Sequence, residues 1–113
     1  MHFVKLKNDI LGKDYSLSIA YVTERKSREI NKKYRKKDKA TNVLSFPLRK
    51  KEGELVLCKS VIKREAKNSK KNWQGWLNFL VIHGMLHLKG FKHGKKMEKL
   101  EKRYLSRTKF LIK

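Results

Sequence analysis

The stretch WLNFLVIHGMLHL, from Trp76 to Leu88, constrains the fold more than any other part of the chain. From Trp73 to Leu88 apolar side chains fall almost all round a helical wheel, the pattern of a helix buried on every side. The run is about 13 residues long and holds two histidines, short of the roughly 18 to 20 residues needed to cross a bilayer. It predicts a helix at the centre of a domain. A chain of 113 residues can bury one such core and is too short for two, so residues 1–113 are expected to form a single domain.

The flanking segments supply what this helix packs against. YSLSIAYV alternates, with Leu17, Ile19 and Tyr21 on one side and Ser18 and Ala20 on the other, which predicts a strand buried on one face. Thr23 is placed to cap a helix through TERKSREINKKYR, with Glu24 near the positive end of its dipole and Ile30 and Tyr34 four apart. TNVLSFP has strand composition, with Leu44 and Phe46 on one face and Pro47 marking an end or an edge, since it has no N–H to donate. ELVLC reads as a central strand and forms a hairpin with TNVLSFP across a lysine-rich turn. KSVIKREAKN reads as a short helix, and Met97, Leu100 and Tyr104 give the tail the three-and-four spacing of an amphipathic one. The expected class is α+β, a small mixed sheet packed with helices.

Charge narrows the partner. Lys and Arg number 31 against 10 Asp and Glu, a formal net charge of +21, which on so small a body attracts polyanions. Nucleic acid leads, because the charge runs along the whole chain and no basic amphipathic helix stands apart to favour a membrane surface. Cys58 is the only cysteine and no signal-peptide apolar region opens the sequence, so a cytoplasmic location is expected. Cys58 itself reads as a buried strand residue, not a ligand or nucleophile.

Three of the four histidines lie within HGMLHLKGFKH. Residues four apart on a helix differ by about 40° in azimuth and roughly 6 Å in height, so His83 and His87 share a face and can grip one ion. Gly90 lets the chain leave the helix and His93 return as a third ligand, the H-x3-H-x5-H spacing of metzincin proteases. Three neutral imidazoles suit one Zn²⁺ and leave a position open, as in a catalytic site. The glutamate that serves as general base in HExxH peptidases is replaced by Gly84, which argues against peptide hydrolysis. A phosphodiester, attacked with help from cations, suits the basic surface better. His2 is assigned no role.

These residues resemble a known family. HGMLHLKGFKH is similar to the HGxLHLxGxDH signature of the YbeY family of metal-dependent endoribonucleases, or 16S rRNA maturation factors. YRKKDKATNVLSFPL resembles that family's YRxKDKPTxVLSFP segment and GELVLC its GDIVIC strand; MEKLEKRYL falls where the family has its C-terminal helix. The resemblance implies a zinc ion on His83, His87 and His93, cleavage of single-stranded RNA in 16S rRNA 3′-end processing and ribosome quality control, and the small ribosomal subunit as partner. It also implies a role for Arg35 in a basic cleft facing the metal, where a guanidinium fork matches phosphate oxygens. Asn42 and Ser45 are candidates to line that cleft. Lys92 stands where the family has Asp, so an acidic partner for the ligands is expected to be missing. Ala40 replaces the family's Pro, the loop between the hairpin strands is short, and the N-terminal strand is abbreviated. With no general base in view, a non-catalytic RNA-binding assembly factor with a structural metal remains the alternative to a nuclease.

Overall fold

The computed structural model describes residues 3–112, with side chains to residue 108; His2 lies outside the described residues. Along the chain come α1 (Val4–Ile10), β1 (Ser16–Tyr21), α2 (Glu24–Arg35), β2 (Val43–Arg49), β3 (Glu52–Leu57), α3 (Lys59–Asn68), α4 (Trp73–Lys89) and α5 (Lys95–Ile112). The sheet has the order β1-β3-β2, with β1 parallel and β2 antiparallel to β3, so the class is α+β with a small mixed sheet. The apolar run of β3 takes the centre, as its composition requires. Pro47 sits on the outer strand β2, beside a register irregularity between Pro47 and Arg49, where its missing N–H costs no ladder bond.

One row across the sheet, Ile19, Leu55 and Ser45, faces α4. The backbone of α4 comes closest at Gly84. A Cβ there would lie 2.7 Å from Leu55 Cδ2 and 3.1 Å from Ser45 Oγ, so any larger residue would have to push the sheet side chains aside. Ser45 Oγ donates to the Gly84 carbonyl at 3.1 Å, tying β2 to the helix. Around α4 the core gathers Leu6, Ile10, Leu55, Leu57, Ile62, Leu77, Val81, Met85 and Met97. No helix among the described residues is long and apolar enough to cross a membrane.

Two expectations need correcting. The N-terminal segment is the helix α1, not a shortened strand: Phe3, Leu6 and Ile10 recur at helical spacing and are buried against the core. Lys89 Nζ donates to the Ile10 carbonyl at 2.9 Å and caps the packing of α1 on α4. Tyr21 is exposed, not buried with Leu17 and Ile19, because it is the last residue of an outer strand, and Lys59 Nζ stacks over its ring at 4.5 Å.

Helix α2 buries Ser27 and Asn31, while Tyr34 is 60% exposed and rests edge-on against Phe46. The reason is the loop beneath it. Ser27 Oγ donates to the Thr41 carbonyl and accepts from the Thr41 N–H, each at 2.9 Å, and Asn31 Nδ2 donates to the Lys39 carbonyl at 2.9 Å. Buried backbone groups need partners, and here side chains of α2 supply them. Arg28 closes the loop from outside through Asp38, with Nε to Oδ1 at 2.7 Å.

Candidate metal centre and cleft

The histidines are brought together by α4 and the turn that ends it. Asn72 Oδ1 caps the start of the helix by accepting from the Gly75 N–H at 3.1 Å. At the other end Gly90 has φ +109°, Gly90 N–H bonds the His87 carbonyl and Phe91 N–H the Leu86 carbonyl, both at 3.0 Å, a Schellman closure. That turn aims the Phe91 carbonyl back at the helix, where it accepts from His87 Nδ1 at 3.0 Å. Two residues on, His93 faces the pair, its ring centroid 5.0 Å from His83 and 4.7 Å from His87.

The ligand atoms of His83, His87 and His93 all lie within 4.8 Å of one another, and the Nε2 atoms of His83 and His87 are 3.1 Å apart. Tetrahedral zinc with Zn–N near 2.0–2.1 Å needs N···N separations of about 3.3 Å, which the His83–His87 pair matches, with His93 close enough to complete the set by a small approach. The outer nitrogens fit too. His83 Nδ1 is 2.6 Å from Glu101 Oε2 and His87 Nδ1 is 3.0 Å from the Phe91 carbonyl, acceptors that suit a proton on each Nδ1 and leave the two Nε2 atoms as the ligand atoms for an ion. Burial holds the His87 imidazole below its ordinary pKa, helped by the neighbouring His83 and His93 rings and opposed by the Phe91 carbonyl and Glu101, so the neutral, ligating form is favoured.

Glu101 was not singled out by the sequence. It comes from α5, is buried, and supplies the acidic partner that Lys92 does not. Its signal was available: it follows Met97 by four residues, a carboxylate on the stripe that otherwise packs on the core.

A cleft of about 810 Å³ opens over the histidines, lined also by Arg35, Thr41, Asn42, Ser45, Trp76 and Phe79. Arg35 is exposed at the end of α2 and Lys36 follows it in a left-handed conformation, φ 58°, so the chain turns away toward the loop held by Ser27 and Asn31. Asn42 Nδ2 donates to Glu65 Oε1 at 3.0 Å and its Oδ1 accepts from Val43 N–H, so this residue shapes the wall and its amide is already engaged. Trp76 Nε1 also donates to Glu65 Oε1, at 3.0 Å. Cys58 is buried just past β3 and lies outside the cleft.

A family model described as Endoribonuclease YbeY matches residues 1–109. A protein named Endoribonuclease YbeY from Colwellia psychrerythraea is 43% identical over 80% of this chain and 63% of its own length. One from Aromatoleum aromaticum is 42% identical over 82% and 66%. A third, from Staphylococcus carnosus, is 32% identical over 94% of this chain and 76% of its own length. The chain thus spans slightly less than two thirds of the first two relatives. The solution structure of TM1509 from Thermotoga maritima superposes with a TM-score of 0.68 at 30% identity, covering 92% of this chain and 79% of that one.

Proposed function

The chain belongs to the Endoribonuclease YbeY family, and from that premise we propose that it is a metal-dependent endoribonuclease, one domain over residues 1–113, that cleaves single-stranded RNA. Its expected setting is the cytoplasm, in 16S rRNA 3′-end processing and ribosome quality control with the small ribosomal subunit. The observation that carries the reading is that three inward-facing imidazoles and Arg35 line one cleft on a chain of net charge +21.

His83, His87 and His93 would hold one Zn²⁺, the ion that three neutral nitrogen ligands suit. When bound, such an ion supplies Lewis acidity and lowers the pKa of water at its open position. Glu101 and the Phe91 carbonyl fix the tautomers of His83 and His87. Arg35 presents paired donors to a phosphate, drawing the RNA backbone toward the histidines and offsetting charge as it grows on the phosphoryl oxygens. Ser45 and Asn42, bound to Gly84 and Glu65, keep the floor rigid.

One observation favours a second reading, an RNA-binding assembly factor whose metal only braces the fold: no Asp or Glu is among the described residues lining the cleft, so no carboxylate base faces the substrate. Incubating purified protein with a short single-stranded rRNA fragment separates the two. Metal-dependent internal cleavage supports the nuclease; binding without cleavage supports the factor.

A further inference from the structure

Beside the cleft, between the first turns of α4 and the end of α5, lies a second cavity of about 390 Å³, lined by Lys71, Asn72, Gly75, Trp76, Phe79, Leu105 and Thr108. Trp76 and Phe79 line both cavities, so the two adjoin along these rings. The rings form a ladder. Trp76 and Phe79 are parallel to within 7° at 5.2 Å, Phe79 stacks on His83 at 6.0 Å, and Lys71 Nζ stands 4.2 Å from the centroid of the Trp76 ring. Glu65 fixes the indole by its Nε1.

Gly75 is the unexplained member. Glycine is the poorest helix former after proline, yet this one lies in the first turn of α4 without a positive φ, and a Cβ built on it meets no described atom within 4 Å. Neither backbone conformation nor crowding requires it. What its missing side chain does is leave the apolar slot open.

We propose that this slot is a base-stacking subsite for the same RNA strand, an inference that rests on the single-stranded RNA reading of the cleft. A nucleobase that enters it stacks on the Trp76 indole at one end of the ladder, and the exposed Lys71 ammonium passes from that ring to the adjoining phosphate. The ladder ends on His83, so a stacked nucleotide sets the register of the strand over the histidines. Any base has a π-face, so the subsite fixes position without choosing sequence.

The test uses an uncleavable 2′-O-methyl octanucleotide, a set of the same strand with one abasic position moved along it, and the full chain with Gly75→Leu or Trp76→Ala, each checked for folding by thermal melting. The expected result is one position at which base loss weakens binding about tenfold, a loss of about 1.4 kcal/mol. The same loss should appear in Gly75→Leu with the intact strand, where base removal then costs nothing further. Uniform abasic effects, with Gly75→Leu binding as tightly as the unmodified chain, would overturn the subsite and leave the RNA reading standing. Failure of the unmodified chain to bind the strand at all would overturn both.

Discussion

Glu101 Oε2 lies 2.6 Å from His83 Nδ1, joining α5 to the ligand helix α4 through a buried carboxylate. A carboxylate behind an imidazole fixes the ring and raises the basicity of its other nitrogen. Glu101→Gln keeps the shape and removes the charge, so metal affinity measured by chelator competition should fall about 10- to 100-fold with the fold retained. Unchanged affinity would make the contact purely a packing one.

Gly84 marks where α4 touches the sheet. Gly84→Ala forces its Cβ into Leu55 Cδ2 and Ser45 Oγ, and overpacking of this kind costs about 1–3 kcal/mol, to be read as a lower urea midpoint. The same crowding is why the glutamate of an HExxH peptidase has no room here. Gly84→Glu should therefore lose stability and gain no zinc-dependent hydrolysis of casein.

Arg35 is exposed, so its replacement should leave thermal stability unchanged. Arg35→Glu should reduce RNA cleavage by about a hundredfold or more, and Arg35→Lys by less, since an ammonium keeps the charge but not the paired donors. Equal cleavage by all three forms would remove Arg35 from the site.

Ser27 holds the backbone of Thr41 from both sides. Ser27→Ala leaves that carbonyl and N–H without their partner, at about 1–3 kcal/mol, and hydrogen exchange at the Thr41 amide should quicken more than at residues of β3. Uniform exchange would show that the loop does not depend on this contact.

How much was legible in the sequence follows from which forces set each part. Helix α4, the hairpin β2–β3 and the three histidines were readable because periodicity, turn residues and ligand spacing are local properties. Phe3, Leu6 and Ile10 carry a helical period as well, but three apolar positions in a short, lysine-bearing segment are a weak local signal, and burial against α4 is what secures that helix. Ser27 and Asn31 were hidden because polar residues on a helix read as solvent-facing, and what buries them is a loop eight to fourteen residues away. Glu101 needed the α4–α5 packing to meet a histidine 18 positions earlier. Lys92 suggested a missing acid, and a tertiary contact supplies one.

The most direct test of the account is metal content, RNA affinity and RNA cleavage measured together on the unmodified chain and on His87→Ala. We expect close to one zinc per unmodified chain with metal-dependent cleavage of single-stranded RNA. In His87→Ala both should be lost while RNA binding persists. Bound zinc without cleavage by either form, with RNA affinity falling in step with thermal stability in His87→Ala, would contradict it.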